Sequence, residues 1–139
     1  MNSIKINHLA ILVCVVLMFA LGFLWYGPLF GAQWIQMVDI DMEAAQANPP
    51  GAGLWVTNLV SCVAPLYALA WLFAKINTTS GIQGAIIGFV ISFCFHLLPE
   101  MTSNMFAQQP YGLAWITGGY SLASMTLSGF IIGAWTKKS

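Results

Sequence analysis

Four long apolar runs follow one another along the chain and predict four membrane-spanning helices. They cover residues 8–27, 53–74, 81–99 and 113–136. A helix needs about 20 apolar residues to cross the roughly 30 Å hydrocarbon core of a bilayer, so each run is long enough for one crossing. We therefore expect residues 1–139 to form a single integral membrane domain, an all-α, four-transmembrane-helix bundle with up-down connections.

Two longer loops, residues 28–52 and 100–112, join the predicted spans on the side away from the termini. Apolar and aromatic residues in the first loop predict a short helix lying in the membrane interface, and these residues are Leu29, Phe30, Trp34, Ile35 and Val38. Asp39 is expected to cap a second short helix that ends at Ala47. The first outer loop should therefore carry most of the structure outside the membrane.

Prolines mark the ends or bends of three predicted spans. Pro28 and Pro99 follow the first and third spans, where a proline disfavours helical geometry in the residue before it, and Pro65 should kink the second.

The second and fourth spans also open alike, with Gly-Leu shortly before a tryptophan at residues 53–55 and 112–115. Such echoes fit two duplicated hairpins. Aromatic belts and helix stops produce them too, and we favour that simpler explanation.

Composition and charge agree with a membrane location and predict an orientation. Only 6% of the residues are charged and the net charge is zero, which does not suggest a nucleic-acid partner. All lysines fall on the side of the termini, namely Lys5, Lys75, Lys137 and Lys138. All acidic residues fall on the other side, namely Asp39, Asp41, Glu43 and Glu100. Because lysine-rich loops stay in the cytoplasm, we expect a cell inner-membrane protein with both termini cytoplasmic.

Small residues recur every fourth position in the third predicted span and form one ridge of that helix. The ridge consists of Ser80, Gly84, Gly88 and Ser92 and continues to His96, while the fourth span carries Gly129 and Gly133. In lipid such rows allow close helix packing. Two small-residue faces are more than one internal contact needs, so we expect a homo-oligomer or a larger membrane-protein partner.

The end of the first predicted span carries the most specific motif of the chain. It reads Trp25-Tyr26-Gly27-Pro28, followed by Phe30-Gly31 and by Trp34. In this motif, in length and in layout, the chain resembles the domain of unknown function 1761 family, a group of small bacterial membrane proteins. The resemblance covers nearly the whole chain and implies a four-helix integral membrane protein. It implies no activity, ligand or catalytic residue.

Six side chains are expected at a similar depth near the outer ends of the helices, and they are Tyr26, Asn58, His96, Glu100, Thr117 and Tyr120. Polar residues in a span normally face the bundle interior, so the set predicts a polar vestibule open to the outside. His96 and Glu100 would suit a proton-linked step, because histidine titrates near neutral pH. For each residue singly we favour an ordinary interfacial role, and Pro99 could turn Glu100 away from the face of His96.

The sequence offers little for catalysis, which leaves three candidate functions. It has two histidines, whereas a catalytic zinc usually has three protein ligands, and its three isolated cysteines look like packing residues. No nucleophile elbow or phosphate loop is present, so we expect no metal, no cofactor and no enzymatic activity. We favour a self-assembling or partner-binding membrane component. A small channel or transporter for protons, ions or a small solute ranks second, and an intramembrane enzyme ranks a distant third.

Overall fold

Helices make up most of the chain described by the computed structural model, which covers residues 4–138. The α-helices are α1 (His8–Leu24), α2 (Gly31–Val38), α3 (Met42–Ala47), α4 (Ala52–Ile76), α5 (Gly81–Ser92), α6 (Leu98–Phe106) and α7 (Tyr111–Ala134). Two π-helical segments also occur. π-turn 1 (Trp25–Leu29) lies between α1 and α2, and π-turn 2 (Phe93–Leu97) lies between α5 and α6.

The two ends of the described chain meet at one end of the helix bundle. β1 (Ile4–Lys5) pairs with β2 (Lys137–Lys138) in an antiparallel ladder of two residues. Beside it, Nδ2 of Asn7 donates a hydrogen bond of 3.1 Å to the carbonyl oxygen of Trp135, and the side-chain oxygen of Asn7 caps α1. We call this the terminal end of the bundle. The opposite end, where α1 finishes and α7 begins, is the distal end.

α7 is the central helix of the bundle and runs antiparallel to α5. It contacts α1, α2, α4, α5 and α6, and it has more buried residues than any other described helix. Many of these are small or carry a hydroxyl group: Gly118, Ser124, Ser128, Gly129 and Gly133. This composition suits a helix whose neighbours are protein, because small residues let helix backbones come close.

Three helical stretches are long and apolar enough to cross a membrane, and they suggest a membrane protein: His8–Leu29, Ala52–Ile76 and Gly81–Phe106. α7 is also long, at 24 residues, but it is less apolar because glycine, serine and threonine occupy many of its positions. Apart from the short terminal pairing, the described chain has no strands. The prediction of an all-helical protein with helices suited to a membrane is therefore confirmed.

The apolar core lies toward the terminal end, between α1, α4 and α7. Its buried members are Ile11, Cys14, Met18, Leu66, Leu69, Ala70, Phe73 and Ile132. From α4 only the part after Pro65 contributes, and residues 51–61 at the distal end are all exposed. The helix itself continues through Pro65, so one uninterrupted helix has a packed half and an unpacked half.

Pro99 does not end the third predicted span, which we expected to end or bend there, and Leu98 before it keeps helical geometry. The helix passes through π-turn 2 into α6 and ends at Phe106. Proline lacks the N–H that an α-helix needs and its ring crowds the carbonyl one turn back. In π-turn 2 the N–H of Leu98 bonds to Phe93, five residues back, and Pro99 falls in the first turn of α6, where a missing N–H is tolerated.

Asp41, rather than Asp39, caps the second helix of the first loop, so the cap was predicted at the wrong residue. Oδ1 of Asp41 accepts hydrogen bonds from the backbone N–H groups of Glu43 and Ala44 at 3.0 and 3.2 Å. Asp39 instead ends α2 in the left-handed conformation, with φ of 58°, which aspartate adopts more readily than most residues. The loop carries two helices, as expected, but their boundary lies two residues later.

Candidate functional site

Small residues form the contact between α5 and α7. A Cβ added at Gly84 would overlap the carbonyl oxygen of Gly129, and one added at Gly129 would overlap that of Gly84. A Cβ at Gly133 would lie 2.5 Å from the carbonyl oxygen of Ser80. The structure places all the residues predicted for helix packing at this contact, namely Ser80, Gly84, Gly88, Ser92, Gly129 and Gly133.

This contact removes the basis on which we expected an oligomer. We expected the small-residue faces of α5 and α7 to be more than one internal contact needs, which would leave one of them for another molecule. The two rows do meet, and a single contact inside the chain uses both of them. Any association between molecules must therefore be argued from another surface.

Two side-chain hydrogen bonds hold the distal part of α1 and π-turn 1 to α7. Nε1 of Trp25 donates to the carbonyl oxygen of Ile116 at 2.8 Å, and the hydroxyl of Tyr120 donates to that of Met18 at 2.7 Å. These bonds bring Tyr26 next to Tyr120, with ring centroids 5.6 Å apart. Tyr26 and Tyr120 therefore form one of the polar groups at the distal end.

Glu100 is the centre of a second polar group, between α6 and α7. Because the helix continues through Pro99, His96 stays one turn away on the same face, and its Nε2 lies 3.3 Å from Oε2 of Glu100. The hydroxyl of Thr117 hydrogen-bonds to Oε1. Gly118 leaves room for the carboxyl, since a Cβ there would lie 3.2 Å from Oε2. The expectation that Pro99 turns Glu100 away from His96 was therefore wrong.

Two buried side-chain atoms of α6 have no hydrogen-bond partner among the described residues, Oε2 of Glu100 and Nδ2 of Asn104. The approach of His96 to Oε2 has the distance of an ion pair without the geometry of a hydrogen bond. Buried polar groups nearly always have partners, so the side chains of Glu100 and Asn104 have unmet hydrogen-bonding capacity. Sequence reasoning missed Asn104, although its position one turn after Glu100 was an available signal.

Asn58 lies on the unpacked half of α4 and is hydrogen-bonded to neither group. It is exposed, and together with Tyr26 and Trp34 it lines a groove of about 550 Å³. None of the side-chain hydrogen bonds between described residues involves it. The predicted vestibule is therefore not a single hydrogen-bonded site, because Asn58 shares a groove with Tyr26 but bonds neither to the Tyr26–Tyr120 pair nor to the cluster of His96, Glu100 and Thr117.

Polar side chains continue along α7 from Thr117 toward the terminal end. The hydroxyls of Ser121 and Ser92 share a hydrogen bond of 3.2 Å. Ser124 donates to a carbonyl oxygen one turn back in α7 at 2.8 Å. Near the terminal end, Sγ of Cys14 lies 3.9 Å from the carbonyl oxygen of Ser128. These groups satisfy each other within the bundle, which is the behaviour of helix-packing residues.

Metal-ligating side chains are scattered through the described residues. No group of three or more His, Cys, Asp or Glu residues in that part of the chain could hold a metal ion. Of the two histidines, His8 lies at the terminal end, 2.8 Å from the hydroxyl of Tyr67, and His96 lies at the distal end. The distal cluster thus offers acid–base and hydrogen-bonding chemistry.

Comparison with known proteins connects this architecture to a family. A family model described as a protein of unknown function (DUF1761) matches residues 9–133. The chain belongs to this family. No curated protein and no solved structure was found to match it. The resemblance based on the Trp-Tyr-Gly-Pro motif is thus confirmed.

In this DUF1761 protein the matched region runs from the second residue of α1 almost to the end of α7. It includes both π-turns and the Glu100 cluster, whereas β1 and β2 lie outside it. The Trp-Tyr-Gly-Pro motif itself forms most of π-turn 1. Its tryptophan, Trp25, is the residue that bonds to the backbone of α7, so the motif has a clear structural role in docking α1 onto the central helix.

Proposed function

We propose that this DUF1761 protein is a non-enzymatic membrane protein that crosses the cell inner membrane four times and keeps both termini in the cytoplasm. The pairing of β1 with β2 supports an even number of crossings, because paired ends lie on the same side. α7 supports the fourth crossing, because it lies alongside both α5 and π-turn 2. Gly129 lies beside Gly84 in α5, and Gly118 lies beside Leu97 in π-turn 2. Lysines at the terminal end favour the cytoplasm for that end.

We further propose that its role is to bind a second copy of itself or another membrane protein through the distal half of α4. The observation that carries this proposal is that residues 51–61 are exposed on every side of the helix. Leu54 and Trp55 have 65% and 59% of their surface exposed. These residues extend for about 16 Å, roughly one leaflet of a bilayer, which is long enough for a helix–helix contact.

Asn58 gives this surface a physical reason to associate. An amide without a hydrogen-bond partner is costly in an apolar environment, and asparagine side chains in membranes bond across helices. The amide both donates and accepts, so the Asn58 side chains of two copies can bond to each other across a two-fold axis. A second copy is therefore our first choice of partner, and a different membrane protein is the second.

The test is association in liposomes, measured by energy transfer between donor-labelled and acceptor-labelled copies as the lipid-to-protein ratio rises. Asn58→Leu should weaken association by about 1–2 kcal/mol, the typical contribution of such a bond between model membrane helices. Thr57→Val is the matched control on the same helix. The Thr57 hydroxyl donates to the carbonyl oxygen of Gly53 within α4 at 2.9 Å, so its loss should leave association unchanged.

Two outcomes would count against this role. Wild-type protein that stays monomeric at every lipid ratio would exclude a second copy as the partner. Equal weakening by Asn58→Leu and Thr57→Val would mean that Asn58 does not carry the contact. Wild-type association that is lost only in Asn58→Leu supports the proposal as stated.

A small channel or transporter for protons, ions or a small solute is the second candidate. The row of hydroxyls on α7 favours it, since they extend from Thr117 through the middle of the bundle. We rank it second because these hydroxyls are already bonded within the bundle. Ion or proton flux into proteoliposomes decides: flux above the protein-free background that His96→Ala reduces supports transport, and flux at background for both proteins excludes it.

A further inference from the structure

We propose that Glu100 is a proton-binding site that exchanges its proton with the distal face through His96. The proposal does not depend on association through α4. Its starting point is the difference between the two carboxyl oxygens. Oε1 bonds to the hydroxyl of Thr117, whereas Oε2 is closed to solvent and has no hydrogen-bond partner among the described residues.

Counting hydrogens shows that an ionised Glu100 is short of donors. The Thr117 hydroxyl carries one hydrogen, yet it lies within hydrogen-bond distance of two acceptors, Oε1 and the carbonyl oxygen of Leu113 at 3.1 Å. A proton on Oε2 removes the charge and turns the unpartnered acceptor into a donor that faces Nε2 of His96. The neutral carboxyl then needs only the Thr117 hydroxyl at Oε1.

The charges around Glu100 offer the carboxylate little compensation. The chain contains no arginine, and the described lysine side chains, Lys5 and Lys75, belong to segments at the terminal end. Among the described residues, the titratable groups near it are His96 on its own helix and Tyr26 on π-turn 1. An ionised carboxylate away from water is costly unless it is paired and hydrogen-bonded.

The space around Oε2 is so small that only a ligand of the size of a proton fits. The oxygen faces the backbone of α7 at Gly118, where even a Cβ would approach it to 3.2 Å. It has no accessible surface, although the Glu100 side chain as a whole is 24% exposed. A metal ion or an ammonium group would have to displace α7 to reach this oxygen, whereas a proton adds almost no volume.

His96 provides the route between this oxygen and water. Its side chain is 52% exposed, and its Nε2 lies 3.3 Å from Oε2. Hydronium at the distal face gives a proton to Nδ1 and leaves as water. A small turn of the exposed ring aligns the Nε2 hydrogen with Oε2, the hydrogen moves to Oε2, and the imidazole is left neutral with its hydrogen on Nδ1. The reverse sequence returns the proton, so the histidine is unchanged after each full exchange.

The test is infrared spectroscopy of the protein in nanodiscs, titrated between about pH 5 and 8, the range in which histidine changes its charge. Lowering the pH should raise the carbonyl band of a protonated carboxyl group and lower a carboxylate band. Glu100→Gln should lose both changes. Glu43→Gln is the matched control, because Glu43 is exposed on α3 and lies outside the Glu100 cluster, so its replacement should leave both changes in place.

His96→Gln tests the route separately from the site. It should keep the carboxyl band but slow proton exchange after a rapid pH jump by roughly 10²-fold, the lower range of what a positioned acid–base group contributes. Circular dichroism should show that each variant retains its helices. A spectrum that Glu100→Gln leaves unchanged, in protein that is folded, overturns the site, and an unchanged exchange rate in His96→Gln overturns the route.

Discussion

At the scale of single residues, glycine sets the distance between α5 and α7. Gly84 and Gly129 each lie against the backbone of the other helix, and Gly88 lies equally close to the carbonyl oxygen of Met125. Helices in lipid gain no hydrophobic drive from meeting each other, so direct backbone packing has to supply the attraction. The position of the central helix therefore depends on the absence of side chains at these residues.

We expect Gly84→Ala to lower the free energy of unfolding by about 1–3 kcal/mol, the usual cost of overfilling a packed contact. The added Cβ would overlap the carbonyl oxygen of Gly129, which is backbone and cannot move aside easily. Unfolding in mixed micelles, followed by loss of helical circular dichroism, measures the change. Gly53→Ala is the control, because a Cβ there meets nothing within 4 Å. Equal stability of both variants would contradict the prediction.

The small row on α5 could be predicted from the sequence because its period of four is a property of one helix. Its partner could not, because nothing local states which helix the row of Gly84 and Gly88 faces. The same limit applies to Glu100. Its spacing from His96 was visible, but its contacts with Thr117 and Gly118 depend on how α6 and α7 are aligned. Asn58 was misplaced for the same reason, since polarity alone does not determine which way a residue faces.

At the scale of helices, Pro99 departs from what local rules predict, because the helix continues through it after the wider turn of π-turn 2. α4 also continues through Pro65, as the expectation of a kinked helix allows. The helix–π-turn–helix arrangement occurs twice, once around Pro28 and once before Pro99. The two halves of the chain are therefore similar in backbone structure as well as in sequence. They differ in that Gly27 leaves helical geometry in the first half, whereas the second half continues as a single helical stretch.

The two halves of α4 lead to a prediction at this scale. Leu66→Ala should cost about 2–5 kcal/mol, because Leu66 is fully buried and the neighbouring helices cannot close the cavity completely. The same substitution at Leu59, which is 47% exposed, should change stability by about 0.5 kcal/mol or less. Unfolding in mixed micelles under conditions that keep the protein monomeric measures both. Similar losses at the two positions would mean that the distal half of α4 packs within its own chain.

At the scale of the whole molecule, the number of crossings depends on α7. The three more apolar stretches would on their own place the two termini on opposite sides of the membrane. The pairing of β1 with β2 and the alignment of α7 with α5 favour a fourth crossing instead. A central helix needs less apolar surface than its neighbours, because other helices shield it from lipid. The serine and glycine content of α7 is thus compatible with a crossing.

Single cysteines in a background without the native ones can decide between three and four crossings. Gln46→Cys lies in α3 and Thr79→Cys between α4 and α5, both at exposed positions, so they report the two opposite sides. Thr136→Cys, after α7, decides the count. With four crossings it should react with a membrane-impermeant maleimide only after permeabilisation, like Thr79→Cys, while Gln46→Cys reacts in cells with intact inner membranes. If Thr136→Cys reacts as Gln46→Cys does, α7 does not cross, and the termini lie on opposite sides.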